Sequence, residues 1–261
     1  MGTVSSNRDV RRLPRRAGFT LAEVLVVVGI IALLVALLVP TIWKAKEGAN
    51  QAACANNLRQ IGMAFIQYGQ AHDGKLPYHA DWGPPHPEDW IHWQPGPGRD
   101  NNDLTKTSAI GKYLGKFTPN VFRCPSDDPS HRTRYDTSGQ GPRRYDFSYS
   151  FNGFFASNWS PAGPRLMAVV NPAAKIMVIE EDELSLDDGH YWPDGYGGTL
   201  ENYLGTRHTR PRLRDYKSWQ GMAQNVRPDR NERGNVAFAD GHVELVTRSY
   251  LWNPNVYDPR K

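Results

Sequence analysis

Glu23 is the one charged residue in an otherwise apolar run from Phe19 to Val39, FTLAEVLVVVGIIALLVALLV. A carboxylate in a membrane-length apolar segment costs on the order of 2.5–3.5 kcal/mol at the bilayer centre and less near the interface. Such a residue marks function by default, and it needs a partner for its charge. Cys54 and Cys124 are the only two thiols. In an oxidising compartment they are free to form a disulfide, but sequence alone does not say whether their geometry allows it. Cys124 precedes Pro125 with no identifiable base, so it reads as a structural thiol or disulfide partner rather than a nucleophile. Glu181, Asp182, Asp187, Asp188 and Asp194 crowd a glycine-containing acidic segment together with Glu180 and Glu183. Hard oxygen donors at that density suit calcium, although the spacing is not that of an EF-hand and a solvated acidic loop is the simpler reading. His79, His86 and His92 lack the tight spacing of a zinc motif.

No catalytic constellation accompanies these residues. The chain has no G-x-S-x-G elbow, no H-E-x-x-H and no phosphate-binding loop, and Gly195-Tyr-Gly-Gly198 is too sparse for a dinucleotide fingerprint. The expectation is a protein that is not an enzyme and requires no cofactor, with calcium as the single candidate ion.

The elements that must position these groups begin with the apolar run. About 20 apolar residues in a helix span a hydrocarbon core of roughly 30 Å. Ahead of the run, residues 1–18 carry Arg8, Arg11, Arg12, Arg15 and Arg16 against Asp9. That leader takes five of the 31 basic residues and one of the 27 acids, so the formal charge of +4 lies wholly within it. A sequence pI near 9.0 therefore gives no support to a nucleic-acid partner. By the positive-inside rule the leader stays in the cytoplasm and the body lies outside, as expected of a single-pass protein of the inner membrane. A cleaved secretory signal would have a shorter apolar stretch followed directly by a small-residue site, and here Pro40-Thr-Ile-Trp43 follows. Cys54 also lies too far downstream to serve as a lipoprotein cysteine.

Beyond Pro40, where a kink is tolerated, the helical pattern continues. Leu58, Ile61, Phe65 and Tyr68 recur at three- and four-residue steps on one face, and Asn57, Arg59, Gln60 and Gln67 mark the other. His72-Asp73-Gly74-Lys75-Leu76-Pro77 reads as the stop. The expected organisation is a leader (1–18), a membrane or assembly helix (19–43), its continuation (44–76) and a β-rich globular domain (77–261). Gly and Pro exclude regular structure over 77–103, where Trp82, Trp90 and Trp93 serve as anchors for a loop packed on its own domain; carbohydrate stacking is the lesser alternative. Tyr145–Phe151 alternates like a strand and Lys175–Ile179 reads as a buried one. Asp240-Gly241 between two alternating runs predicts a hairpin with a type I′ turn.

Arg15-Arg16-Ala17-Gly18-Phe19-Thr20-Leu21-Ala22-Glu23 resembles the processing site of type IV prepilins and type II secretion pseudopilins. Gly18, Phe19, Glu23 and Pro40 all fall at that family's offsets. The resemblance implies cleavage by prepilin peptidase between Gly18 and Phe19 and N-methylation of Phe19. It also implies pairing of Glu23 with the N-terminal amine of a neighbouring pilin-like subunit, giving a periplasmic or surface filament of a secretion or pilus system. The implied fold is α+β and pilin-like, a long N-terminal helix on a mainly antiparallel sheet with long irregular loops. The runner-up is a membrane-anchored ligand- or carbohydrate-binding module that does not polymerise. Cys54-Ala-Asn-Asn-Leu-Arg-Gln-Ile-Gly62, Cys124-Pro-Ser-Asp127, Tyr149-Ser-Phe-Asn152 and Asn235–Val243 are similar to a narrower group with a C-terminal H-x9-DG domain. Here the nearest upstream histidine of that kind, His208, stands 32 residues before Asp240, with an arginine-rich insertion between them.

Overall fold

A computed structural model of the chain describes residues 20–81, 85–94, 107–115, 119–129, 145–157, 163–182, 185–186, 188–192, 204–209 and 231–261. They fall into two compact units, residues 1–45 and 46–261. Helix α1, Leu21–Ala71, contributes to both and continues through Pro40. Proline removes one backbone donor there, and Thr41 Oγ1 donates to the Leu38 carbonyl at 2.7 Å one residue on. In the first unit the apolar side chains of α1 are all exposed, from 44 % at Val39 to 77 % at Leu21. This is the one helix among the described residues long and apolar enough to cross a membrane.

Within the second unit α1 is amphipathic. Cys54, Leu58, Ile61, Phe65 and Tyr68 are buried, while Arg59, Gln60 and Gln67 are exposed, as the spacing requires. The helix stops where expected: Gly74, at φ 80°, returns its N–H to the Gly69 carbonyl at 2.7 Å. The sheet it covers comprises β1 (Tyr149–Asn152), β2 (Ile176–Glu180), β3 (His190–Tyr191), β4 (Arg233–Phe238) and β5 (Val243–Thr247), in the order β3-β1-β2-β4-β5. The pairs β1–β2, β2–β4 and β4–β5 are antiparallel, and β3 alone runs parallel to its neighbour β1. This is the expected α+β architecture. All five residues of β2 are buried because both faces of the strand are covered.

One face packs Met177, Val178 and Phe151 beneath Phe65 and Leu58, and the loop residues Trp90 and Trp93 complete that core. Trp90 Nε1 donates to the Gly189 carbonyl at 2.6 Å and Trp93 Nε1 to Ala80 at 2.9 Å, so these two tryptophans anchor the loop to its own domain; Trp82 lies outside the described residues. The opposite face packs Ile176, Ile179, Val236 and Phe238 against Leu251 and Val256, the latter in the short helix α2, Pro254–Tyr257.

The β4–β5 hairpin forms where Asp240-Gly241 places it, but the turn is not type I′. That turn needs positive φ at both central residues, and of the two only Gly241 has it, at 91°. Phe238 and His242 instead enclose a three-residue loop, with Phe238 N–H donating to the His242 carbonyl and Gly241 N–H to the Phe238 carbonyl, each at 2.9 Å. Asp240 Oδ1 accepts from the His242 N–H at 3.1 Å, a local bond that competes with the tighter turn.

Candidate functional site

Two sets of residues carry chemistry, one in each unit. In the first, Glu23 closes the start of α1. Thr20 N–H and Thr20 Oγ1 both donate to Glu23 Oε2 at 2.8 Å, and Glu23 N–H donates to Thr20 Oγ1 at 3.3 Å. This is a capping box, readable from Thr20-x-x-Glu23, which satisfies donors that a helix start otherwise leaves open. Gly18 and Phe19, the residues of the expected cut, lie outside the described residues.

The second set is buried in the body. Cys54 comes from α1, Cys124 from the turn after Phe122, Glu180 from the end of β2 and His208 from the 204–209 segment. One ligand-type atom from each lies within 4.8 Å of all the others. The local structure explains each position. Cys124 N–H donates to Ser148 Oγ at 2.8 Å, and the Asp127 N–H returns to the Cys124 carbonyl at 3.0 Å. Leu204 bridges Glu181, and Gly205 N–H donates to the Glu180 carbonyl at 2.7 Å, which ties the 204–209 segment to β2. A turn closed by Thr209 N–H to the Thr206 carbonyl directs Arg207 and His208 inward, and Thr209 Oγ1 donates to the Arg233 carbonyl at 2.9 Å. Thr209, the last described residue before the arginine-rich insertion, is thus held beside Arg233 at the start of β4. His208 does not reach the Asp240 turn, whose carboxylate pairs with His242.

His208 Nε2 lies 3.2 Å from Cys124 Sγ and 3.2 Å from Glu180 Oε1, and its Nδ1 lies 2.6 Å from Glu47 Oε1. Glu180 also accepts from Arg207 Nη1 at 2.9 Å and Asn235 Nδ2 at 3.0 Å. Tyr149 OH stands 3.0 Å from Cys54 Sγ. Ser126 Oγ donates to Glu47 Oε1 at 2.7 Å, and Arg207 pairs with Asp127 at 3.7 Å. Burial works against charge throughout this cluster, and the neighbours decide the outcome. For Glu180 burial is overcome by Arg207 and then His208, leaving its carboxyl at about 2. His208, against burial, is raised to about 10 by its bonds to Cys124 and Glu180. Burial first, then Cys124 and Glu180, push the Cys54 thiol up. Cys124 goes down despite burial, through its bonds to Cys54 and His208 and the charge of Arg207.

Several sequence expectations are answered here. Cys54 and Cys124 are brought together, and both are free thiols. Cys124 does have an imidazole within reach, His208 with Glu47 behind it, which sequence reasoning missed because those residues lie 84 and 77 positions from Cys124. The described acids of the calcium segment do not converge. Glu181 accepts from Ser150 Oγ, Asp182 from Arg248, and Asp188 lies 2.9 Å from His190 Nδ1. Asp187 and Asp194 lie outside the described residues. The four short motifs quoted for the H-x9-DG resemblance all reach this one cluster, through Cys54, Cys124, Tyr149 and Asn235.

Residues 13–39, which hold Gly18, Phe19, Glu23 and the whole apolar run, match the family model of the prokaryotic N-terminal methylation motif. With the capped apolar helix that it overlaps, this N-terminal segment is prepilin-like. A curated relative, the ComG operon protein 3 homolog of Bacillus licheniformis, is 31 % identical over 64 residues, covering 24 % of this chain. The chain spans 66 % of that relative's length. The methylation-motif match ends at residue 39 and lends no support to an H-x9-DG domain. No solved structure matches the chain.

Proposed function

We propose that the chain is a pseudopilin-like structural subunit of a secretion or pilus-type system. Prepilin peptidase cuts between Gly18 and Phe19, Phe19 is N-methylated, and the subunit assembles with other pilin-like chains without catalysis of its own. Before processing, the apolar helix holds the chain in the inner membrane with the leader in the cytoplasm and the body outside. The observation that carries this reading is the coincidence of the methylation motif with a helix whose apolar side chains from Leu21 to Trp43 are all exposed. Such a surface needs lipid or the helices of neighbouring subunits around it. Cleavage creates an α-amino group four residues before Glu23, and a neighbour's amine supplies the partner that a carboxylate at membrane depth needs.

Glu23 both caps its own helix and carries the charge, and two substitutions separate these roles. Glutamine serves in a capping box, so Glu23→Gln keeps the cap and removes the charge, while Glu23→Ala removes both. Chemical cross-linking in membranes should yield multimers for the wild type and lose them in both variants. Multimers retained in Glu23→Gln would contradict charge pairing. Cross-linking that shows monomers in the wild type too would favour the anchored binding module that does not polymerise.

A further inference from the structure

The geometry points to a structural zinc site in the body, formed by Cys54 Sγ, Cys124 Sγ, His208 Nε2 and a Glu180 carboxylate oxygen. Neither the leader nor the assembly helix of the proposed function requires such a site. The four donors lie within 4.8 Å of one another, with two of their separations at 3.2 Å. With Zn–S near 2.3 Å and Zn–N or Zn–O near 2.0–2.2 Å, a tetrahedron has edges of about 3.3–3.8 Å. The observed donors need to open by only a few tenths of an ångström along those two edges to admit the ion. Two thiolates, an imidazole and a carboxylate are the donor types that borderline-soft zinc takes, and they exclude calcium, which needs six or more oxygens.

The surroundings are those of a metal site as well. Glu47 Oε1 sits 2.6 Å from the far nitrogen of His208, where it would accept the Nδ1–H and leave Nε2 to face the metal. That carboxylate–histidine–metal arrangement fixes the ring and its tautomer. Zinc with two thiolates and one carboxylate carries a formal charge of −1, and Arg207, 2.9 Å from Glu180, balances it. Tyr149 OH reaches Cys54 Sγ, and Asn235 holds the second oxygen of Glu180. Cys54, Cys124 and Glu180 are at most 3 % exposed and the His208 side chain is 1 % exposed. Four protein ligands with no face open to solvent make a closed site, which holds structure rather than activating water. The ligands come from α1, the Cys124 turn, β2 and the 204–209 segment, so one ion would fasten the irregular segments to the helix and the sheet.

The test uses the full chain, purified in detergent under reducing conditions and without a metal-binding tag. Metal analysis should find about one zinc per chain. After chelation, cobalt(II) should restore a spectrum with thiolate-to-metal charge transfer in the near ultraviolet and intense tetrahedral bands in the visible. This measurement needs no variant to fold. Glu47→Gln keeps all four ligands and should weaken zinc binding by about 10–100-fold. A chain without zinc that gives no thiolate–cobalt spectrum would overturn the site. So would a Cys54–Cys124 disulfide found quantitatively by mass spectrometry in a second sample, extracted without reductant into a thiol-blocking alkylator. A Glu47→Gln variant with unchanged zinc affinity would remove the assigned histidine geometry. None of these results depends on whether the subunit is processed or polymerises.

Discussion

Phe65→Ala is the sharpest test of how the helix is fastened to the sheet. Phe65 is fully buried, with its ring centroid 4.4 Å from that of Phe151 and 5.6 Å from that of Trp90. It therefore joins three separate elements, α1, β1 and the tryptophan loop. Truncating a buried phenylalanine to alanine costs about 3–5 kcal/mol, of which about 0.5–1.5 kcal/mol reflects the lost ring pairing. Against a typical domain stability of about 5–15 kcal/mol, that is a large share of the total. The assay is urea unfolding of the full chain in mild detergent, followed by tryptophan fluorescence, to which buried Trp90 contributes beside the mutated site. The midpoint should fall while the slope stays constant, because the surface exposed on unfolding is nearly unchanged. Gln67→Ala, on the exposed face of the same helix, should move stability by no more than about 0.5 kcal/mol. A loss below about 1 kcal/mol for Phe65→Ala would refute the packing of α1 on the sheet through this ring.

Two further perturbations follow from the body. Gly234 lies so close to the 204–209 segment that an added Cβ would stand 2.0 Å from the Gly205 carbonyl oxygen. Gly234→Ala should cost about 1–3 kcal/mol or more and displace the turn carrying Arg207 and His208, read by urea unfolding and by the His208 ring resonances in NMR. Burial, and then the neighbouring His190, hold His79 down at about 4, against the opposing pull of Asp81 and Asp188. A histidine kept neutral by folding leaves stability intact above its unfolded value near 6.5 and loses it as pH falls from there toward 4. The slope is about 1.4 kcal/mol per pH unit at most, and a His79→Phe variant should flatten that part of the unfolding-midpoint profile between pH 4 and 7.

What could be read from the residues was what depends on local periodicity. Leu58, Ile61, Phe65 and Tyr68 announce a buried helix face at fixed spacing, and the β2 run is apolar because both of its faces are covered. The β4–β5 hairpin follows from alternation around Asp240-Gly241, but its turn type was decided by the Asp240–His242 bond and by the way Gly241 meets Met63 and Ile66 of α1. Strand β3 has two residues and no period to detect. The buried cluster was legible only in fragments. Cys54 and Cys124 stood out by type, while Glu47 and Arg207 look like ordinary surface charges. Glu47 meets His208 across 161 positions, a juxtaposition that only the fold creates. The capping role of Glu23 was present in the sequence as Thr20-x-x-Glu23, masked by the more unusual fact of an acid in an apolar run.

Processing between Gly18 and Phe19 would make the apolar helix the mature N-terminus. N-terminal sequencing combined with intact-mass measurement of the membrane-extracted protein tests it most directly. The mature chain should start at Phe19 and carry one methyl group on its amine. A chain that starts at Met1 or Gly2 with its arginine-rich leader intact would contradict it.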